Sequence, residues 1–300
     1  MLKKLEKLLG LNPLDRMAKL WKKEEKQKIL FLWNRGLGDI PLWLYGMFLQ
    51  IKNVYPQAQL FVLTRKDLQE GFAMLQNVKV LDSQTMQRGL AVDLDKQLAQ
   101  FELRQDDFDV VIEKIEPKAW IKWQRKWVVP KLSWPGDVED VAWKFGLDLG
   151  KKYLGVHLST ETGQFYADEK NWPLENFLQV FQLQSPDIPI VLFGHNKQGS
   201  FGPNILDLRG QTTLFEMLTI IKNFCRGLLA PDSGVLCMVY YLACDFPLTI
   251  VSLWGNPRVG ILKQGVASPN RYLRHIPLLG KQRQVKNITV DKVIKALQQI

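Results

Sequence analysis

The sequence predicts an α/β protein built from two Rossmann-like domains. Apolar runs of strand length alternate with helical patterns over residues 28–113, and the alternation begins again at residue 153 and continues to residue 254. Such alternation is typical of parallel sheets joined by crossover helices. The clearest unit spans residues 227–257, where a strand, the polar turn PDSG, a helical pattern, a second strand and the loop WGNP follow in order.

The length and composition support two packed domains and an anionic partner. The chain has 300 residues, of which 46% are hydrophobic, and a net charge of +10. This charge suits nucleic acid, anionic lipid or a phosphorylated substrate. No RNP or KH signature supports nucleic acid, so we do not expect it as a partner.

Targeting signals and cysteine usage predict a cytoplasmic protein. No apolar run reaches the roughly 18 residues of a membrane span, and the first residues are charged where a signal peptide has its apolar region. Cys225, Cys237 and Cys244 lie in one apolar region without the spacing of a zinc site. We expect buried thiols in a reducing compartment.

Residues 1–28 form a basic amphipathic N-terminal segment. They contain nine basic and four acidic side chains and so carry half of the net charge of the chain. Leucines recur at helical spacing, and Asn12-Pro13 divides the pattern into two short helices. Two interpretations stay open: the apolar face lies on the inner face of the cytoplasmic membrane, or it docks on the body of the protein.

The remaining residues are predicted to form one domain over residues 29–148 and a second over residues 149–300. In the first we expect strands over 28–33, 59–64, 79–81 and 109–113, and helices over 41–51, 65–75, 94–103 and 138–145. In the second we expect strands over 153–158, 189–194, 205–208, 227–230 and 248–253, helices over 173–182, 213–223, 235–244 and 290–299, and a loop from the last strand to about residue 277.

A glycine-rich turn after the first strand holds the first candidate residue. Residues 35–39 (RGLGD) lie at the carboxyl end of that strand, where open α/β sheets bind ligands. Asp39 has two interpretations: its carboxylate caps the following helix, whose first turn Pro41 suits, or it acts as a general base. The turn does not match the dinucleotide-binding pattern G-x-G-x-x-G.

Basic side chains at two further places in the first domain are candidates for binding phosphate or sugar. Arg65 and Lys66 directly follow the second strand and would face the same edge of the sheet. Lys122 and Arg125 lie in WIKWQRKW (residues 120–127), which interleaves aromatic rings with cations that bind oxyanions. An ordinary amphipathic helix explains this segment equally well.

In the second domain, three polar positions follow strands or precede helices. Ser159 and Thr160 would hydrogen-bond a phosphate that Lys170 neutralises, and solvated loop side chains are the alternative. The turn of residues 232–234 either binds an anion or only caps its helix. His157 lies inside a strand pattern, which predicts a core residue rather than a catalyst. The sequence contains no HExxH, P-loop or GxSxG motif.

Short motifs occur in a recognisable order along the chain. They are RGLGD (35–39), KNWP (170–173), DLRGQTTL (207–214), PDSG (231–234) and LWGNP (253–257). Together they resemble the bacterial ADP-heptose:lipopolysaccharide heptosyltransferase family, glycosyltransferase family 9. The resemblance covers about residues 29–300, and the order of the motifs carries it rather than any single motif.

The resemblance implies a GT-B architecture, in which two Rossmann-like domains face each other across a cleft. It implies that the acceptor binds mainly to the first domain, that a nucleotide-sugar binds to the second, and that inverting transfer needs no metal or other cofactor. By position, Asp39 corresponds to the general base. We assign donor binding to Ser159, Thr160, Lys170, Asp207, Asp232, Ser233, Gly234 and Cys237. We assign acceptor binding to Arg35, Arg65, Lys122 and Arg125.

Two departures from the family pattern bear on the substrates. The family commonly has a histidine three residues after the glycine of its D-[ST]-G turn, where this chain has Cys237, and a thiol does not offer the hydrogen bonds of an imidazole. After the fourth strand, residues 113–116 (EKIE) stand where many members have D-L-Q-G.

We therefore expect an inverting, metal-independent glycosyltransferase that moves heptose or a related sugar from a nucleotide-sugar, such as ADP-heptose, to a lipopolysaccharide-core-type acceptor. Its expected partners are the donor, a lipid-linked phosphorylated glycan and an anionic membrane surface. The alternative is a catalytically weak nucleotide- or glycan-binding protein that retains the GT-B fold.

Overall fold

The computed structural model describes residues 12–116, 128–160, 169–184, 187–195, 197, 201–202 and 204–300. The chain divides between Ser133 and Trp134 into two compact units. Within the described residues, each unit is built on its own parallel sheet with helices in the crossover connections. The predicted α/β class with two Rossmann-like domains is therefore confirmed.

Four parallel strands form the sheet of the first unit within the described residues. They are β1 (Lys28–Trp33), β2 (Gln59–Arg65), β3 (Val78–Ser83) and β4 (Val110–Ile112). Their order across the sheet is β3-β2-β1-β4. The chain order reverses between β1 and β4, so the carboxyl ends of these two strands are the topological switch point of the sheet.

The helices of the first unit are short and follow the strands closely. A π-helical turn, Ile40–Leu44, leads from the glycine-rich turn into α2, and a 3-10 turn, Lys66–Leu68, leads from β2 into α3. The described helices of this unit are α1 (Pro13–Lys23), α2 (Tyr45–Val54), α3 (Gln69–Ala73) and α4 (Leu94–Leu98).

Helix α1 packs its apolar face on the body of the first unit. Leu14, Ala18 and Trp21 are buried, and the amide of Gln50 on α2 donates a hydrogen bond to Asp15 Oδ1 at 2.7 Å. Over these residues, the docking interpretation of the N-terminal segment is confirmed. Residues 1–11 lie outside the described residues.

Six parallel strands form the sheet of the second unit within the described residues. They are β5 (Tyr153–His157), β6 (Ile190–Phe193), β7 (Ile205–Asp207), β8 (Cys225–Pro231), β9 (Leu248–Trp254) and β10 (Leu273–Leu279). Their order is β10-β9-β8-β5-β6-β7. Counted from β5, this is the 3-2-1-4-5-6 order of doubly wound nucleotide-binding folds, with the switch point between β5 and β8.

Helices of the second unit cover the sheet and bury a continuous apolar core. Val156 and Val251 on the sheet pack with Phe177 and Val293 on two of these helices. The described helices are α5 (Val141–Phe145), α6 (Leu174–Leu183), α7 (Leu214–Phe224), α8 (Gly234–Tyr240), α9 (Gly260–Gln264) and α10 (Val290–Leu297).

The strand β10 corrects the sequence prediction, which had a loop up to about residue 277. It pairs in parallel with β9 over its whole length. As the edge strand it is only partly buried and carries Arg274 and Pro277, so it lacks the continuous apolar run of the central strands. The helix after β8 is also shorter than predicted and ends at Tyr240.

Residues 134–148 make their contacts with the second unit. Val138 N donates to Thr219 Oγ1 on α7 at 3.1 Å, Lys144 pairs with Glu216, and Lys222 Nζ lies 3.1 Å from Asp137 Oδ1. The division by contacts therefore comes earlier than the boundary expected after residue 148.

Among the described residues, none of the helices is both long enough and apolar enough to cross a membrane.

Candidate functional site

The candidate site lies where the strands of the second sheet end. At its switch point, β5 leads into Ser159 and Thr160, and β8 leads into Asp232 and Ser233. Ligands of doubly wound sheets bind outside the carboxyl ends of the strands at such a point. The fold therefore brings four of the predicted donor-binding residues to one edge.

In the turn after β8, Ser233 caps the following helix, whereas the side chain of Asp232 binds a residue from another segment. Ser233 is the N-cap residue of α8, since its Oγ accepts a hydrogen bond from Leu236 N at 3.1 Å. Asp232 N donates to Leu253 O at 3.2 Å, which ties the turn to β9. The capping interpretation therefore holds for Ser233, whereas the carboxylate of Asp232 has a different partner.

Lys170 is that partner. Its Nζ lies 2.8 Å from Asp232 Oδ2 and 3.3 Å from Asp232 O. Asp232 is 5% exposed, whereas the side chain of Lys170 keeps 21% of its surface exposed. The pair thus presents a partly exposed ammonium group whose counter-ion is buried. An ammonium group in this state can donate charge-assisted hydrogen bonds to an incoming oxyanion.

Glu169, which the sequence analysis missed, connects this pair to β9 and β10. Its main-chain O accepts a hydrogen bond from Gly255 N at 3.0 Å. Its Oε2 accepts from Asn256 Nδ2 at 3.1 Å, and its Oε1 lies 3.3 Å from Arg283 Nη2. No motif in the sequence marks Glu169 or Arg283, and the motif LWGNP contains Asn256 without indicating its partner, because these partners are distant along the chain.

Two glycines allow the close packing at this edge. A Cβ on Gly255 would lie 2.6 Å from Glu169 Cα, and a Cβ on Gly260 would lie 2.7 Å from Asp232 Oδ1 and 2.8 Å from Trp254 Cη2. Real Cβ atoms do not approach other atoms so closely, so both positions require glycine. Gly260 also has a φ of +53°, which disfavours a side chain independently.

Ser159 and Thr160 are both partly exposed at the end of β5. Thr160 N donates a hydrogen bond to Asn171 Oδ1 at 3.1 Å. This bond ties the loop after β5 to the residue that follows Lys170. The two hydroxyl-bearing residues and the ammonium group therefore belong to segments that are fastened to each other.

Asp207, at the end of β7, is held by Arg209. Arg209 Nε lies 2.8 Å from Asp207 Oδ1, and Arg209 Nη2 lies 2.7 Å from Oδ2. These hydrogen bonds hold the pKa of the Asp207 carboxyl below its usual range. Arg209 N also donates to Oδ1 at 3.2 Å, so a donor that binds Asp207 would share a carboxylate that already accepts three hydrogen bonds.

Cys237 lies one turn into α8 and is 1% exposed. Its thiol is therefore enclosed by the protein, and in this structure it offers no surface to a ligand. Cys225 is also buried, and burial raises the pKa of its thiol to about 12. Cys244, by contrast, is only partly buried, so the prediction of buried thiols holds for two of the three cysteines.

Two histidines of this sheet, the buried His157 and the partly buried His275, have pKa values that desolvation lowers to about 4. Burial, with a smaller effect of His195, lowers the pKa of His157 to about 4. His157 Nδ1 has no hydrogen-bond partner among the described residues, so the residue is in the core as predicted, but it is not fully satisfied. Ser252 Oγ accepts a hydrogen bond from Trp254 Nε1 at 2.6 Å and is also hydrogen-bonded to His275 Nε2 at 2.6 Å.

In the first unit, the structure bears on the two interpretations of Asp39. The residue directly precedes the π-helical turn, yet its side chain makes no capping hydrogen bond there. Asp39 Oδ2 lies 3.2 Å, and Arg88 Nη2 3.6 Å, from the position that a Cβ on Gly36 would take. The carboxylate therefore lies on the glycine side of the turn, in the neighbourhood of a guanidinium group that the sequence analysis missed.

The two predicted acceptor-binding arginines of this edge differ in exposure. Arg35 is exposed, and its guanidinium carbon lies 5.8 Å from the centre of the Trp33 ring. Arg65 is buried; its Nη2 lies 3.3 Å from Arg35 O and 3.0 Å from Asp67 Oδ2. Arg65 Nε has no hydrogen-bond partner among the described residues. Lys122 and Arg125 lie outside the described residues.

Solved structures with the same fold include bacterial heptosyltransferases. E. coli ADP-heptose lipopolysaccharide heptosyltransferase II has a TM-score of 0.63 and 15% identity, over 91% of this chain and 98% of the other. A family 9 glycosyltransferase from Veillonella parvula DSM 2008 has a TM-score of 0.56 and 15% identity, over 91% and 96%. E. coli heptosyltransferase WaaC, solved with ADP, has a TM-score of 0.50 and 13% identity, over 91% and 97%.

No protein-family model matches the chain, and no curated protein matches it in sequence. The shared coverage of nine-tenths means that both units, rather than one, take part in the likeness. The chain therefore has the α/β, GT-B-type fold of the heptosyltransferases that its five motifs resemble.

Proposed function

We propose that the protein is an inverting, metal-independent glycosyltransferase that moves heptose or a related sugar from a nucleotide-sugar to a lipopolysaccharide-core-type acceptor. The observation that carries the proposal is the Lys170–Asp232 pair at the switch point of the second sheet. Two further facts support it: neighbours of the same fold are glycosyltransferases, and one of them was solved with ADP.

In the proposed reaction, Lys170 acts on the leaving group. The bond between the anomeric carbon and the diphosphate breaks, and negative charge develops on the diphosphate oxygens. The ammonium group of Lys170, backed by the buried carboxylate of Asp232, stabilises that charge electrostatically. In the same proposal, the hydroxyl groups of Ser159 and Thr160 donate hydrogen bonds to these phosphates.

Asp39 is the proposed general base. Its carboxylate accepts the proton of the acceptor hydroxyl as that oxygen attacks the anomeric carbon from the face opposite the diphosphate. Attack from the opposite face inverts the configuration at this carbon. The place of Asp39 in the turn that follows β1, at the carboxyl edge of the first sheet where open α/β sheets bind ligands, supports the assignment.

The cations of the first unit are the proposed ligands of a phosphorylated, lipid-linked acceptor. Arg35 and Arg65 lie at the ends of β1 and β2, and guanidinium groups bind phosphate and carboxylate with paired hydrogen bonds. Lys122 and Arg125 stay candidates from the sequence alone. We also propose peripheral association with an anionic membrane surface, to which residues 1–11 and the exposed lysines of α1 would contribute.

A donor screen tests the proposed function. The wild-type chain is incubated with ADP-heptose and with other nucleotide-sugars, together with a deacylated, phosphorylated lipopolysaccharide core, and release of nucleoside diphosphate is measured. We expect release that depends on the acceptor, loss of this release in Asp39→Asn, and no loss in the control Asp106→Asn, which changes an exposed carboxylate of the same unit. If no donor is consumed, the assignment fails; nucleotide binding without turnover would favour the weak binding protein.

Vesicle sedimentation tests the membrane proposal. Removal of residues 1–28 would expose the surface that Leu14 and Trp21 cover, so removal of residues 1–11 is the cleaner variant. We expect this shortened chain to sediment less with anionic vesicles than the full chain, and neither to sediment with neutral ones. Equal sedimentation of both chains would contradict the proposal.

A further inference from the structure

The residues that hold Lys170 in place determine the geometry of the donor site, and their role rests on the proposed function. A lysine side chain has a flexible four-carbon stem and acts as a point charge, so it must be held to act at one position. On its carboxyl-terminal side the chain is anchored by Trp172, which is buried and whose Nε1 donates to Ile288 O at 2.9 Å. On its amino-terminal side the neighbour is Glu169.

Glu169 and Lys170 bind residues that follow different strands. Lys170 pairs with Asp232 after β8, whereas Glu169 binds Gly255 and Asn256 after β9 and Arg283 after β10. Two consecutive residues therefore fasten one segment to the ends of three neighbouring strands. The backbone at Gly255 comes so near to Glu169 that only glycine fits there.

The negative charge of Glu169 indicates that this residue supports its neighbours in the protein rather than contacts the diphosphate. A carboxylate beside a diphosphate would repel it by ordinary electrostatics. Here each carboxylate oxygen is turned to a donor on another segment, and Arg283 supplies a compensating positive charge. Arg283 has a φ of +58° and follows Gln282 with a φ of +54°, a conformation that costs free energy and is found where the surroundings enforce it.

We propose that Glu169 is a positioning residue: by fastening its segment to β9 and β10, it fixes the ammonium group of Lys170 against Asp232. The loss of Glu169 would leave Lys170 chemically intact but free to take several positions. Its effect on ligand binding would then act only through Lys170.

The first test needs no ligand. Trace acetylation with acetic anhydride, read by mass spectrometry, reports how reactive Lys170 is relative to Lys292, an exposed lysine of α10. In Glu169→Ala we expect the relative reactivity of Lys170 to rise several-fold, because its amine leaves the ion pair more often. Glu169→Gln, which retains an acceptor for Asn256 but not the charge for Arg283, is expected to give an intermediate value.

The second test is a double-mutant cycle of Glu169 and Lys170, in which calorimetry measures the affinity of each variant for ADP. We expect Glu169→Ala to weaken ADP binding about tenfold, the order of freezing one flexible side chain, and Lys170→Ala to weaken it about a hundredfold. The double variant should bind like Lys170→Ala alone. Glu175→Ala, an exposed carboxylate at the start of α6, is the control and should bind like the wild type.

The results of the two tests distinguish the positioning role of Glu169 from the proposed function of the protein. Unchanged reactivity of Lys170 in Glu169→Ala, or additive losses in the double variant, would overturn the positioning role. If the reactivity rises but the wild type binds no ADP or other nucleoside diphosphate, the positioning role stands and the proposed donor is wrong. Thermal melting of each variant identifies any that fail to fold, and Glu169→Gln then replaces Glu169→Ala in both tests.

Discussion

The carboxyl edges of the two sheets are built differently. At the second edge, Lys170 is fixed by Asp232 and Glu169 by Arg283, partners that come from other segments, and Asp207 is held by the nearby Arg209. At the first edge, Arg65 is held by the nearby Asp67, but its Nε lacks a partner among the described residues, and Arg35 is exposed. A site whose side chains are already ordered loses little freedom on binding. The second edge is therefore suited to a ligand of constant shape, and the first to a ligand that orders its surroundings.

The largest expected effects separate the roles of the two edges. Asp39→Asn should lower kcat by about 10²–10⁴-fold, the range of general base catalysis, and leave ADP affinity within about twofold because a base acts only in the transition state. Lys170→Met should lower kcat/KM for the donor by about 10²–10³-fold and weaken ADP binding as well. Steady-state kinetics and calorimetry measure both.

Controls for this pair are exposed side chains of the same type. Asp106→Asn in the first unit and Lys151→Met in the second change charge outside both edges and should leave both quantities within about twofold. If Asp39→Asn weakened ADP binding as much as Lys170→Met, the proposed assignment of the general base to the first unit and of donor binding to the second would be wrong.

The tight packing of the second edge predicts a strong effect at Gly255. Gly255→Ala would place a Cβ 2.6 Å from Glu169 Cα and 2.7 Å from Arg283 O, and backbone atoms cannot move aside cheaply. We expect a loss of about 2–4 kcal/mol in the free energy of unfolding, typical of overpacking and strain, measured by urea denaturation. Gly202→Ala, where a Cβ would meet nothing within 4 Å, should change it by less than about 0.5 kcal/mol. Equal effects at the two glycines would show that the edge is not tightly packed.

His157 predicts how the stability of the second unit depends on pH. Its pKa of about 4 in the folded chain lies below the ordinary value of 6.5, so the unfolded chain binds the proton more strongly between these values. The contribution of neutral His157 to the free energy of unfolding is therefore complete above pH 6.5 and is lost as the pH falls toward 4. By pH 5 we expect the free energy of unfolding to have fallen by about 2 kcal/mol through this residue.

Urea denaturation of the wild type and of His157→Gln between pH 7 and pH 5 measures this contribution. Carboxylates contribute little change in that range, because their ordinary pKa values lie near 4. The variant should show a flatter dependence on pH than the wild type. Identical slopes for the two chains would mean that His157 is not held neutral by burial.

The smallest expected effect concerns the first edge. Asn34 Nδ2 donates to Leu90 O at 2.8 Å and to Gln87 O at 3.4 Å, which ties the loop that carries Arg88 to the glycine-rich turn. Because Asn34 is only partly buried, Asn34→Ala should cost about 1 kcal/mol of unfolding free energy. Denaturation measures the change, and a loss above about 3 kcal/mol would show that this edge is as firmly held as the second.

The central strands and the order of elements could be predicted from the sequence, because a buried parallel strand is a short apolar run between turns. β1 begins and ends where the sequence predicts. β10 could not be predicted, since an edge strand with Arg274 and Pro277 has no such run. Helix ends were less accurate: α8 stops at Tyr240 because tertiary packing, rather than helical pattern, decides the last turn.

The site could be predicted only in part. Lys170 and Asp232 were identified from family motifs, and the structure pairs them. The contacts among Glu169, Asn256 and Arg283 could not be identified, although Asn256 lies in the motif LWGNP, because a hydrogen-bond partner 87 positions away leaves no local pattern. The role of Asp39 as base and the donor-binding and acceptor-binding roles of all the other predicted site residues stay predictions. This holds for Cys237 as well, which is buried in this structure.

The strand β10 also has a consequence for the behaviour of the protein at high concentration. It is the terminal strand of the sheet among the described residues, and an open strand edge is a template on which another chain can add a strand and start aggregation. Pro277 has no amide hydrogen, and a proline in an edge strand places that gap on the solvent side. Arg274 and Pro277, both exposed, thus protect the free edge of the sheet against self-association.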